Sequence, residues 1–226
     1  MKVTIVCAYN QCVDMTMKFL DVMDATTKNF RECYNDIEMI LVNGGCSTKI
    51  EHPFITTRID LDVNNGFGPT VNAGLRKVPV DSDYIFYVGN DSFPTTNTWL
   101  EELIVLQGKT GAGIVCPAND RPGMEAYNHL YTSSTDDYWT VEFFPSIAYL
   151  ITKECFDKIG LWDERFIRTG MYGDNDYCRR VRNAGFSIIV SKHILLNHLL
   201  SQESSKCGTI GEDMNINNQL FIDKWK

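Results

Sequence analysis

Residues 83–94 set the strongest constraint on the fold. Tyr84, Ile85, Phe86, Tyr87 and Val88 form an apolar, aromatic and β-branched run that breaks off into Gly89, Asn90, Asp91, Ser92 and Pro94. A run with no polar alternation predicts a strand buried on both faces of a mostly parallel sheet. In open α/β sheets, ligands bind beyond the carboxyl ends of the strands, so Asp91 falls where a ligand would sit. Its carboxylate, flanked by Asn90 and Ser92, offers hard oxygen donors to a divalent cation. The same residues also suit a polar turn capping a helix that starts near Thr98, and the stretch alone leaves both readings open.

The rest of the chain supplies what such a sheet needs. Residues 3–8 read as a first buried strand closed by Tyr9, Asn10 and Gln11, and Met15, Phe19, Leu20, Val22 and Met23 follow at helical spacing. Residues 37–42 form a second strand, ending in a glycine-bearing turn over 43–48. A short third strand is expected over 58–63, then a loop over 64–69 and a helix over 70–78. Past the central strand comes a helix over 98–106, carrying Trp99, Leu100, Leu103 and Ile104, and an apolar run over 112–116. Residues 146–152 return to strand character, and 153–159 form a short helix stopped by Gly160. Asp174 and Asp176 open a further helix, where the dipole favours negative charge, and Gly185 ends it. A last short strand over 187–190 precedes His193 and His198, and 212–225 reads as an amphipathic helix. This alternation predicts a doubly wound α/β sheet with right-handed crossovers. Residues 117–138 are polar and without periodicity, and are expected to form a lid or substrate loop.

The 226 residues, without a visible linker, fit a single domain over 1–226. A net charge of −8 argues against a nucleic-acid partner. The start carries no secretory pattern, and no stretch approaches the roughly 20 apolar residues of a membrane span. A cytoplasmic protein is expected, with any membrane contact peripheral. Eight cysteines without a CxxC pair read as reduced, mostly packed thiols.

Several common chemistries lack their anchors. Gly66-Phe67-Gly68 follows the third strand and has Val71 where a dinucleotide fingerprint needs a third glycine. There is no P-loop and no GxSxG elbow. What remains is Asp91 at the end of the central strand, Asp174 and Asp176 at a helix start, and His198 after the last strand. Helix capping accounts for the acidic pair equally well, until order along the chain is considered.

That order resembles the inverting, GT-A-fold family 2 glycosyltransferases, particularly their rhamnosyltransferase-like branch, over about residues 3–204. The family's Tyr-Asn turn after the first strand is matched by Ala8-Tyr9-Asn10, and its D-N-G-S-T-D loop by the variant running from Asn43 to Thr48. Its N-x-G-F-x-x-x-x-N-x-G segment is matched by Asn65-adjacent Asn64, Gly66, Phe67, Asn72 and Gly74. The D-x-D element corresponds to Gly89-Asn90-Asp91 with Pro94 and Trp99-Leu100-Glu101-Glu102-Leu103. G-x-F-D-E corresponds to Gly160-Leu161-Trp162-Asp163-Glu164, and E-D-x-D-x-x-x-R to Gly173-Asp174-Asn175-Asp176 with Arg180. The late histidine is His198. Three positions depart from the pattern: Asn43 and Gly89 each replace an aspartate, and Gly173 replaces a glutamate.

The resemblance implies inverting transfer of a sugar from a nucleoside-diphosphate donor, UDP- or dTDP-linked, to a hydroxyl of a glycan or glycolipid acceptor. It implies a nucleotide-binding half over about 1–116 and an acceptor and catalytic half over about 117–226. Donor contacts fall on Ala8, Tyr9, Asn43, Asn65, Gly66, Asn72, Asn90 and Asp91. A manganese or magnesium ion falls on Asp91 and His198, the catalytic base on Asp174, and acceptor contacts on Trp162, Asp163 and Glu164. The rival reading is a catalytically silent protein that binds nucleotide sugar or carbohydrate on the same fold.

Overall fold

The computed structural model describes residues 1–34, 36–119, 136–199 and 210–226. Strand β1 (Val3–Tyr9) sits inside the sheet because nearly all its residues are apolar and buried on both faces. It pairs in parallel with β2 (Ile37–Asn43) on one side and with β4 (Tyr84–Val88) on the other. Strand β3 (Thr57–Asp60) extends this parallel block beyond β2. Helices α1 (Val13–Thr26) and α2 (Lys28–Tyr34) connect β1 to β2, and α3 (Phe67–Leu75) connects β3 to β4. The polar ends of β1, β2 and β4 therefore open at one edge of the sheet.

Past β4 the sheet is no longer parallel. Strand β8 (Ala148–Thr152) runs antiparallel to β4, and β6 (Ile114–Asn119) antiparallel to β8. The long β9 (Ile188–His198) is parallel to β6 and antiparallel to both β5 (Ser92–Pro94) and β7 (Tyr138–Val141). The order is β3-β2-β1-β4-β8-β6-β9-β5, with β7 also on β9. This is a mixed sheet whose N-terminal half keeps the predicted parallel pairing. Helices α4 (Trp99–Thr110), α5 (Lys153–Ile159), α6 (Gly173–Asn183) and α7 (Ile210–Lys224) complete the described elements.

Two apolar layers flank the sheet. One gathers Phe19, Leu20, Phe30, Phe86, Trp99 and Leu103 beneath α1, α2 and α4. The other gathers Val71, Leu75, Tyr149, Trp162, Tyr177 and Val181 beneath α3 and α6.

Three differences from expectation stand out, each with a local reason. Helix α3 starts at Phe67, not Thr70, because Gly66 (φ 95°) turns the chain and Pro69 in the first turn removes an N–H that has no helical partner there. Strand β9 runs on through His193 to His198, well past the expected 187–190, because pairing with β5 and β7 extends it. Strand β5 itself went unpredicted, since it has only three residues and ends in a proline that an edge position tolerates. Strands β6 and β7 bound the expected lid, most of which lies outside the described residues.

Candidate active site

Gly89, Asn90 and Asp91 form the turn between β4 and β5, at the sheet edge predicted to bind ligand. The capping reading of Asp91 fails, because α4 begins at Trp99 with no side-chain cap and β5 intervenes. The Asp91 Oδ2 atom lies 3.3 Å from Nε2 of His198, and both side chains are about nine-tenths buried. His198 is not beyond the last strand but its final residue, paired opposite Ser92. Its Nδ1 and the hydroxyl of Ser92 are buried without a hydrogen-bond partner among the described residues. A carboxylate and an imidazole with open polar atoms beside them suit a divalent cation. Among the described residues no third His, Cys, Asp or Glu joins them. A cation held here would take its other ligands from water and substrate phosphate oxygens, as magnesium commonly does.

Gly89 is fitted to this turn. A β-carbon there would come 2.9 Å from Oδ1 of Asp91, so an aspartate in its place would displace the carboxylate already present. Asn90 faces inward, donating to the Thr16 hydroxyl at 2.9 Å and tying the turn to α1.

Asp174 lies in the first turn of α6, partly buried. Its Oδ1 atom accepts the Asn175 backbone N–H at 2.9 Å, yet burial outweighs the nearby backbone N–H groups and pushes its pKa up to about 6. The helix dipole alone predicts the opposite direction. Desolvation wins because it penalises the charged form directly.

Ile147 accepts the Gly89 backbone N–H at 2.8 Å, which ties the turn carrying Asp91 to the residue just before β8.

The predicted donor residues divide into two groups. Tyr9, Asn43 and Asn72 are buried and hold neighbouring backbone in place. The Tyr9 hydroxyl donates to the Thr48 carbonyl at 3.0 Å and accepts from the Ile50 N–H at 3.2 Å. Asn43 accepts from the Gly45 and Cys46 N–H groups and donates to the Cys46 carbonyl and to Asp60. Asn72 clamps the backbone of Trp162 on both sides, at 2.9 Å each, and reaches Glu164. Ala8, Asn65 and Gly66 keep some surface open, and Asn65 is exposed.

Of the residues expected to contact an acceptor, Trp162 is a core residue and not a surface contact. Its ring stacks on Tyr177 with centroids 4.5 Å apart, and its N–H donates to the Tyr149 hydroxyl. Glu164 is half-open and paired with Arg76 at 2.6 Å. Asp163 is bridged by Arg165 at 2.6 Å and by Lys224 at 2.7 Å, which hold its pKa well below the usual carboxylate range. Asp176 is fully buried between Arg180 and Lys224. Lys224 and Ile147 carried no sequence signal, because long-range ion pairs and a backbone acceptor leave no local motif.

The model of glycosyl transferase family 2 matches residues 4–162, more than half of the chain. The chain belongs to glycosyl transferase family 2. No curated protein sequence matches it. As a family 2 chain it shares its fold with solved GT-A glycosyltransferases. The mannosyltransferase PcManGT from Pyrobaculum calidifontis, in complex with GDP-Man and Mn2+, aligns with a TM-score of 0.74 at 13% identity, over 93% of this chain and 60% of that one. GalNAc-T7 with UDP, GalNAc and Mn2+ aligns at 0.68 and 11% identity, over 87% and 43%. S. aureus TarS 1-349 aligns at 0.62 and 10%, over 87% and 59%. The family 2 chain thus spans about half the length of these structures.

Proposed function

We propose that the protein transfers a sugar from a UDP- or dTDP-linked donor to an acceptor hydroxyl with inversion, as in the rhamnosyltransferase-like branch of the family. The observation that carries this reading is the buried pair of Asp91 and His198, 3.3 Å apart where β4 ends, together with the carboxyl of Asp174 in the first turn of α6. A leaving diphosphate and an attacking hydroxyl need complementary groups on either side of the anomeric carbon. Asp91 and His198 would hold a manganese or magnesium ion, which when bound offsets the negative charge developing on the diphosphate. Asp174 accepts the acceptor hydroxyl proton as the oxygen attacks the anomeric carbon. The new C–O bond forms as the bond to the diphosphate breaks, and the configuration inverts. A base with a pKa near 6 is mostly ionised at neutral pH and still a competent proton acceptor. The acceptor is a glycan or glycolipid, approached from the side of Glu164, and residues 1–226 act as one domain.

Uridine or deoxythymidine diphosphate with manganese is expected to raise the melting temperature, because a ligand that binds only the folded state stabilises it. No shift with either at millimolar concentration would overturn the donor reading. His198→Ala should weaken the cation-dependent part of this binding less than loss of Asp91 does, as titration calorimetry would show. Gly89→Asp, far from restoring a stronger metal site, should weaken diphosphate affinity by roughly tenfold, the scale of disturbing a metal ligand's surroundings.

The rate should also depend on pH in a defined direction. The transfer rate is expected to fall about tenfold per unit as pH drops below about 6, where Asp174 gains its proton. A flat profile between pH 5 and 8 would remove Asp174 from the role of base.

A further inference from the structure

Helix α7 docks through polar side chains. Asp213 and Asn217 are fully buried on its inner face, while Met214, Ile216 and Ile222 are exposed. Asp213 lies 3.0 Å from the Arg168 guanidinium and accepts from the Thr169 hydroxyl at 3.0 Å. Asn217 accepts the Ile167 N–H at 2.9 Å and donates to the Ile167 carbonyl at 3.2 Å. Phe221 packs on Tyr172 with ring centroids 6.1 Å apart. At the end of the helix, Lys224 bridges Asp163 at 2.7 Å and Asp176 at 2.6 Å, and the Trp225 indole donates to the same Asp176 oxygen at 2.9 Å. All of these partners lie between residues 163 and 176, the segment that leads into and carries Asp174.

That segment is also strained. Among the described residues, Arg168 (φ 47°) and Tyr172 (φ 65°) are the non-glycine residues with positive φ, and α7 grips the side chain of each. Such backbone is uncommon for bulky residues, persists where its surroundings over-determine it, and clusters at functional sites. Polar networks that are fully paired fix one geometry, where apolar packing tolerates several. We infer that α7 is part of the transfer machinery and that Lys224 is a positioning residue, acting through Asp163 and Asp176 to set where Asp174 stands. This rests on the reading of Asp174 as the base.

The test is steady-state release of diphosphate from whichever nucleotide sugar the wild-type protein turns over fastest with manganese, together with melting temperature. Lys224→Met should lower kcat by about tenfold to a hundredfold, the scale of misplacing a reacting group by about an ångström. The donor KM and calorimetric affinity for the diphosphate should stay within about threefold, and Lys224→Arg should recover much of kcat. A folded Lys224→Met protein with kcat within about twofold of wild type, whatever its melting temperature, overturns the inference and leaves α7 a structural anchor. Should Lys224→Met not fold, Asp213→Asn carries the same comparison: a kcat loss at unchanged KM supports the inference and an unchanged kcat overturns it. A wild-type protein that releases no diphosphate from any nucleotide sugar sinks the underlying reading and this inference with it, and shows so before any variant is made.

Discussion

Asp174→Asn is expected to lower transfer by about 10² to 10⁴, the usual contribution of a general base, while diphosphate affinity stays near that of the wild type. The same variant should be more stable at neutral pH. The folded-state pKa of Asp174 is raised to about 6, so the folded protein holds this proton more tightly than the unfolded chain. The stability from that proton is full below about pH 4, the unfolded value, and is lost as pH rises through the folded one. At pH 7 the buried carboxylate is therefore a burden, on the order of 1–3 kcal/mol for a shift of this size. Asparagine keeps an acceptor for the Asn175 N–H and never ionises. Thermal melts at pH 5 and pH 8 check this, with a stabilising effect at pH 8 that shrinks at pH 5. A merely structural Asp174 would give the reverse, a variant that is less stable and still active. Asp176→Asn, by contrast, removes a fully buried charge that Arg180 and Lys224 surround, and should destabilise by about 3–5 kcal/mol because it leaves those cations without their partner.

Asp91→Ala should abolish most cation-dependent binding of the diphosphate. Asp91 is the one carboxylate facing His198, and no other His, Cys, Asp or Glu completes a cluster there among the described residues. The substitution thus removes the charged ligand outright, where loss of the neighbouring imidazole removes a neutral one. Calorimetry with uridine diphosphate and manganese should show the affinity fall to the level seen with a chelator. An Asp91→Ala protein that binds the diphosphate with unchanged manganese dependence would remove this turn from the donor site.

The sequence was most legible where chemistry is local. The run over residues 84–88 and the polar turn behind it placed Asp91 correctly, because a strand buried on both faces cannot carry a carboxylate until it ends. Gly160 and Gly185 marked real stops, both with positive φ. Illegible were the features that depend on distant pairing. The antiparallel half of the sheet arises when β8 inserts between β4 and β6, and no pattern within β8 announces that neighbour. His198 belongs to a strand only because β5 pairs with it. The motif positions take uneven places in the structure. Asn72 and Trp162 look like ligand residues in the sequence and are buried against each other in the fold. The direction of the Asp174 shift could not be read either, since it follows from burial of the carboxyl in the fold and not from its place on a helix.

The central claim is that this site breaks the bond between a sugar and a nucleoside diphosphate. The most direct measurement is diphosphate release from a panel of UDP-, dTDP- and GDP-linked sugars, with manganese and with chelator, for the wild type, Asp91→Ala and Asp174→Asn. The account predicts release from a UDP- or dTDP-linked sugar that needs the cation, with both variants at background and Asp174→Asn still binding the diphosphate. Release from no nucleotide sugar, or release that survives in Asp174→Asn at the wild-type rate, would contradict it.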